Sequence, residues 1–256
     1  MMNNITDTVK HLIIINVVMF VGTLTVGGNP IGENVSFYNW FALHFPQNAT
    51  FQPWQIITHM FMHGGFMHIF FNMFALWMFG TAVEQRFGAK KFLFFYISSG
   101  LGAALSMIGY YYFSFYSGLN VLTEAGIDKA KIIETLNSGM YNTAWQQIMG
   151  ATDMQQFITV FNSTMVGASG AIMGVLVAFG MLYPESKLML IFLPVPIKAK
   201  YFIPGIIALD LISAITGQSF FSPSNTAYVA HLGGALSGFL IMWYWKKTQF
   251  NKNRWD

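Results

Sequence analysis

The chain has 256 residues, of which 54% are hydrophobic and 9% charged, with a mean hydropathy of +0.48. Soluble domains carry about 25% charged residues, so this composition excludes an ordinary soluble domain and indicates an integral membrane protein. The absence of cysteine excludes disulfides, thiolate nucleophiles and cysteine-ligated zinc or iron–sulfur centres, and the net charge of +3 comes from dispersed basic residues rather than a nucleic-acid-binding patch.

A membrane-spanning helix needs about 20 mostly apolar residues, and six stretches come close enough: 12–26, 66–83, 92–115, 165–183, 201–217 and 227–245. The first follows Lys10 and lacks a small-residue cleavage site, so it reads as a retained anchor rather than a signal peptide. Between the first two spans, residues 27–58 mix Phe37, Tyr38, Trp40, Phe41, Phe45, Phe51 and Trp54 with Pro30, Pro46 and Pro53, a composition that predicts an interfacial element. Residues 114–164 form a second loop with amphipathic helices. Asp128 is placed to cap a helix carrying Ile132, Leu136 and Met140 and closing near Gly139; Thr152-Asp153-Met154-Gln155 reads as a capping box before Phe157 and Phe161. The ten-residue apolar run Leu188 to Ile197 contains Pro194 and Pro196 and is too short to span, so it reads as an interfacial connection.

This is an all-α, polytopic arrangement of six spans, read as a single membrane domain over residues 1–256, since no Gly/Ser linker, repeat or low-complexity tract divides it. Eleven of the thirteen basic residues fall on one side: Lys10, Arg86, Lys90, Lys91, Lys187, Lys198, Lys200, Lys246, Lys247, Lys252 and Arg254. By the positive-inside rule that side, with both termini, is cytoplasmic, and the loops 27–58 and 114–164 are external.

Polar residues inside spans are costly and point to function. Ser169 lies in Gly167-Ala168-Ser169-Gly170, one turn inside the uncharged run 165–183; His231 lies at a matching depth in the sixth span; His68 and Asn72 share a face of the second. All four fall in the outer half. Helices in lipid approach closely where small residues meet. Gly170 and Gly174 beside Ser169, and Gly234 and Gly238 on the face of His231, would bring the serine and the imidazole within hydrogen-bond reach. A serine hydroxyl is a weak nucleophile that an adjacent neutral imidazole activates. His231 is thus the candidate base, and the Asn72 amide, the His68 imidazole and the Ser169 backbone N–H are candidate donors to an oxyanion. Asp210, the acid within the fifth span, reads as a structural or pathway residue in preference to a triad acid, because nothing in the sequence puts it beside His231.

Other features read as structural. His59 and His63 are spaced i, i+4, but no glutamate lies between them in a zincin pattern, so no metal is assigned, and no cofactor motif is present. The seventeen methionines lack the clustering with histidine of a copper path. A transporter should show internal repeats or broken helices meeting at the midplane, and the sequence has neither. A membrane protein that binds spans without cutting them is the competing class. No residue pattern specifies an oligomeric state.

The motifs Gly167-Ala168-Ser169-Gly170, Ala230-His231-Leu232-Gly233-Gly234 with Gly238, and His63-x4-His68-x3-Asn72 resemble the rhomboid intramembrane serine proteases, and the resemblance extends over all six spans. It implies Ser169 as nucleophile, His231 as base, and His68, Asn72 and the Ser169 amide as the oxyanion site. It also implies transmembrane protein substrates within the lipid bilayer, cleaved near the outer end of their helix, and a fifth span acting as lateral gate. Glu84 and Arg86 resemble the family's structural acid-x-Arg pair, expected to hold the cytoplasmic loop. Met173 stands where some members place a tyrosine, and segment 114–164 is longer than many members have.

Overall fold

The computed structural model of the chain describes residues 5–26, 36–190, 193–216 and 227–250. Residues 27–35 of the first external loop, Gly217, and the basic tail with Lys252 and Arg254 lie outside the described residues. In chain order the helices are α1 (Asp7–Thr25), α2 (Ser36–Phe41), α3 (Gln55–Thr58), α4 (Phe66–Ala75), α5 (Thr81–Phe87), α6 (Ala89–Glu124), α7 (Lys129–Asn137), α8 (Trp145–Met149), α9 (Ala151–Phe161), α10 (Ser169–Leu182), α11 (Ala199–Thr216) and α12 (Ala227–Trp245). Helices α4 and α5 form one span, Phe66–Phe87, joined by a π turn at Leu76–Gly80. Among the described residues four helices are long and apolar enough to cross a membrane: α1, the α4–α5 span, α6 and α11. Helix α12 is as long as α1 and carries no charge, but His231, its glycines and its terminal Trp243, Tyr244 and Trp245 dilute its hydropathy.

Helix α1 begins at Asp7, before the predicted start at residue 12, because the span is capped from outside itself. The Glu84 carboxylate accepts from the Thr6 hydroxyl at 2.6 Å and from the Thr8 and Val9 N–H groups at 3.1 and 2.9 Å. These are first-turn donors with no acceptor inside the helix, and an anion there also opposes the positive end of the helix dipole. Glu84 therefore fastens the second span to the start of the first, a more specific job than holding a loop. Arg86 sits in the last turn of the same helix, which ends at Gly88 with φ +77°. Glu84→Ala strands these buried donors and is expected to destabilise the protein by about 1–3 kcal/mol. Thermal unfolding in mild detergent measures this, with Glu84→Gln expected to retain part of the loss as a residual acceptor.

Helix α6 is 36 residues long, about 54 Å, so it crosses the bilayer and continues outward. The predicted span 92–115 is only part of it, and the first eleven residues assigned to the second loop, 114–124, belong to the same helix. No proline interrupts it, and Tyr111, Phe115, Leu119 and Leu122 keep one stripe buried past the expected boundary. The external segment packs on that stripe. Asp128 caps α7 as predicted, accepting from the Lys131 N–H at 3.0 Å, and Gly139 with φ +75° ends it. Met140, beyond that glycine, is exposed and leaves the predicted apolar stripe. Helix α9 starts at Ala151 after Gly150, so Thr152 lies inside the helix and the capping box predicted there does not form. The positive φ of Gly150, 84°, makes the turn that a side-chain cap was expected to make. Phe157 and Phe161 are buried as expected, Phe157 stacked on Phe115 with centroids 4.9 Å apart. Phe45 from the first external loop enters the same aromatic nucleus, 5.0 Å from Phe115.

The predicted interfacial connection forms a hairpin of β3 (Lys187–Leu190) and β4 (Leu193–Lys198). The largest difference concerns the fourth span. Residues 164–165 are not helical: β2 (Thr164–Met165) pairs antiparallel with β1 (Leu43–His44), and α10 has only 14 residues, about 21 Å. Gly170 through Phe179 are all buried, so α10 is surrounded by protein and need not match the bilayer thickness. Helices α6, α10 and α12 approach closely through glycines and small side chains. A Cβ at Gly238 would lie 2.6 Å from the Gly174 Cα; one at Gly234 would strike the Gly170 carbonyl, and one at Gly102 the Ser237 side chain.

Candidate active site

Ser169 is the first residue of α10, not a residue one turn inside it. The helix ladder opens with the Ile172 N–H on the Ala168 carbonyl at 2.9 Å, which leaves the N–H groups of Ser169, Gly170 and Ala171 with no acceptor inside the helix. The helix dipole adds partial positive charge at the same place. The chain reaches this point through Gly167, whose φ of +120° disfavours any side chain. Its N–H donates to the His59 carbonyl at 2.9 Å, tying the turn to the first external loop.

That turn faces α4. A Cβ on Gly167 would lie 2.8 Å from both Cε1 and Nε2 of His68 and 3.7 Å from Nδ2 of Asn72. The glycine is thus needed twice, for its backbone angle and for the imidazole that occupies its side-chain space. Asn72 is buried and its Nδ2 has no hydrogen-bond partner, an unsatisfied donor beside the first turn of α10. On the other side, a Cβ on Gly170 would sit 3.5 Å from the Ala230 carbonyl, so the residue before His231 touches the residue after Ser169. His231 also lies within electrostatic reach of His68. Ser169, His231, His68 and Asn72 are therefore gathered from three helices. Among the described residues no hydrogen bond joins the Ser169 hydroxyl to His231, so the direct bond expected from the sequence is not made in this state; such bonds are often long in a free enzyme and tighten with substrate bound.

His231 instead pairs with the acid that the sequence set apart. Its Nδ1 lies 3.1 Å from Oδ2 of Asp210 on α11, with side-chain exposures of 16% and 9%. The sequence offered nothing to place Asp210 beside His231, and the structure brings the two side chains into contact. Helices α11 and α12 run in opposite directions, and Asp210 lies about 9 Å from the end of α11 while His231 lies about 6 Å from the start of α12, so the two are nearly level. That equality of depth was a signal available in the sequence.

A second group that sequence patterning missed supports the site from outside. Gln55 is fully buried; its Oε1 accepts from the N–H groups of His44 and Gln52, and its Nε2 donates to the carbonyls of Asn39 and Thr50 at 2.8 and 3.0 Å. One amide so satisfied ties together residues 39–55, and β1–β2 and the His59 carbonyl connect that segment to the approach to Gly167. His59 is structural: a carbonyl only accepts, so the 2.9 Å contact between Nδ1 and the Gln55 oxygen places the proton on Nδ1. Burial pulls its pKa down to about 4, opposed by that hydrogen bond. Burial, then the nearby His68, pulls His63 down to about 3, and its ring packs edge-on against His68 at 5.0 Å.

These two histidines make the fold acid-sensitive. Each binds its proton more weakly folded than at its ordinary 6.5, so below that pH the unfolded chain takes up more protons. Stability is full above pH 6.5 and is lost as pH falls toward 4, by roughly 1.4 kcal/mol per pH unit for each histidine. Thermal unfolding in detergent between about pH 7.5 and 4.5 is expected to show this decline. His59→Gln, which keeps a donor for the Gln55 carbonyl but cannot be protonated, should flatten the slope; an unchanged slope would assign the acid sensitivity elsewhere.

A family model of the rhomboid domain matches residues 50–248, most of the chain, including Ser169, His231, His68, Asn72 and Asp210. The chain belongs to the rhomboid family. It is similar to Rhomboid protein 1, mitochondrial, of Saccharomyces cerevisiae, 28% identical over 75% of this chain and 42% of that protein. It is similar to Presenilin-associated rhomboid-like protein A, mitochondrial, of Danio rerio, 27% identical over 76% of this chain and 39% of that one. Rhomboid protease AarA of Providencia stuartii is 28% identical over 90% of this chain and 69% of its own length. The rhomboid described here spans about two fifths of the length of the two mitochondrial relatives. As a rhomboid it is an all-α polytopic membrane protein.

Proposed function

We propose that this rhomboid is an intramembrane serine endopeptidase, hydrolysing peptide bonds in or near transmembrane segments of other membrane proteins. The observation that carries the reading is the turn at Gly167–Ser169, which meets His68 and Asn72 on one side and the His231 helix on the other. Ser169 Oγ attacks the scissile carbonyl as His231 Nε2 takes its proton; a C–O bond forms and the carbonyl oxygen becomes an anion. The Ser169 N–H at the start of α10, the Asn72 Nδ2 and the His68 ring are the donors for that oxyanion, and an unpaired Asn72 amide is what such a role requires before substrate arrives. The C–N bond then breaks as His231 returns the proton to the leaving amine. Water, activated by the same imidazole, hydrolyses the acyl ester and restores Ser169.

Substrate reaches the site from the bilayer, and a helical substrate must unwind to expose a carbonyl, which is easiest near water. The site lies near the ends of α10 and α12 that face the loops 27–58 and 114–164, and the distribution of lysine and arginine makes that side external, with both termini cytoplasmic in a cell (inner) membrane. The chain acts as a single membrane domain, Gly170, Gly174, Gly234 and Gly238 holding the catalytic helices together. The test is cleavage of a single-span model substrate by the purified protein in lipid. Cutting above the level of the Ser169→Ala protein supports the reading; a native chain that binds the substrate and leaves it intact would replace it with that of a span-binding protein.

A further inference from the structure

An imidazole that is to take a proton from Ser169 must present a bare Nε2, which requires its own proton on Nδ1. Neutral histidine does not choose between its nitrogens; a neighbour chooses for it. In this chain the neighbour is Asp210, whose Oδ2 lies 3.1 Å from His231 Nδ1. A carboxylate only accepts, so Nδ1 donates and Nε2 is left free on the far side of the ring.

The acid is held for that contact. Helix α11 turns Leu211, Ile212 and Ile215 outward, toward lipid, while Ala199, Ile203, Asp210 and Ser213 are buried against the protein. A carboxylate at this depth is costly unless paired. The nearby Ser213 hydroxyl is spent on the Leu209 carbonyl at 2.9 Å, and among the described residues His231 is the side chain that hydrogen-bonds Asp210.

We infer that Asp210 is a positioning residue for His231, an acid carried on α11 that selects the Nδ1–H tautomer and stabilises the imidazolium formed when Ser169 loses its proton. The inference rests on the Ser169–His231 reading above. The proton travels between Ser169 Oγ, His231 Nε2 and the leaving amine, and Asp210 takes no part in its transfer. Because the acid and the base stand on different helices, a displacement of α11 from α12 also releases the base from its orientation.

The test compares the full chain in lipid with Asp210→Asn, Asp210→Ala and Asp210→Glu. Three quantities are read: kcat and KM on a single-span model substrate, the rate of Ser169 labelling by a fluorophosphonate probe, and the 15N spectrum of His231. Both Asp210→Asn and Asp210→Ala are expected to lower kcat and slow labelling by about 10–10²-fold with KM within about twofold, while Asp210→Glu recovers part of the loss. The groups facing the His231 ring are Asp210 from α11 and His68 from α4, with His63 behind His68. A purely structural acid leaves the tautomer unchanged.

Unchanged kcat and 15N spectrum in Asp210→Asn, in a chain whose native form cleaves, overturn the inference and leave the protease reading standing. If the native chain labels and cleaves no better than Ser169→Ala, the protease reading fails instead, and the 15N spectrum alone still decides whether Asp210 fixes the His231 tautomer. Should Asp210→Ala fail to fold, the isosteric asparagine carries the comparison.

Discussion

Ser169→Ala is expected to lower cleavage of a single-span substrate in lipid by about 10³-fold or more, and His231→Ala by a comparable factor, because nucleophile and base act as one unit. The double variant should then be no slower than either single one. Such non-additivity separates a joined pair from two residues that each contribute to packing. Substrate binding should survive in all three, since the close backbone approaches around the two residues are made by Gly167, Gly170 and Gly234. Labelling by a fluorophosphonate probe gives a second, substrate-independent reading, absent in Ser169→Ala and slowed in His231→Ala. Additive losses in the double variant, or labelling that persists without Ser169, would place the nucleophile elsewhere.

Gly234→Ala is expected to cost at least about 2 kcal/mol of stability and most of the activity. The added methyl would strike the Gly170 carbonyl, and the neighbouring approach at Gly238, where a Cβ would lie 2.6 Å from the Gly174 Cα, keeps α12 from sliding aside. Both collisions are with backbone, which has no rotamer to change. The same contact sets the distance between the helix of His231 and the start of α10, so parting them disables the base before it unfolds the protein. Gly109→Ala is the control: nothing lies within 4 Å of a Cβ there, and a helical glycine-to-alanine change in open space should be neutral or slightly stabilising. Thermal unfolding and cleavage, measured on both, distinguish a packing defect from a general intolerance of helical glycine replacement. Equal behaviour of the two variants would sink the argument.

Much of this protein was legible from residue order. Hydropathy located all six apolar stretches, because partition between water and hydrocarbon is summed over local windows and needs no knowledge of neighbours. Ser169, His231, His68 and Asn72 stood out for the complementary reason that polar side chains at membrane depth are expensive. Asp128 and Gly139 announced the ends of α7 through capping chemistry confined to a few consecutive residues. Contacts between segments far apart in the chain were not legible in this way. A two-residue bridge between Leu43–His44 and Thr164–Met165 has no periodicity, yet it ends the strand run early enough to put Ser169 at a helix terminus instead of a turn inside one. Glu84 looked like a loop anchor until the first span came to rest on it, and Gln55, unremarked in a polar stretch, became the amide that shapes the external loop. Asp210 carries the lesson furthest. Its depth could be counted from the sequence, but whether it faced lipid, another helix or His231 depended on the rotation of α11 about its axis, and that rotation is set by packing, which a local pattern of apolar residues on nearly every face of the helix does not specify.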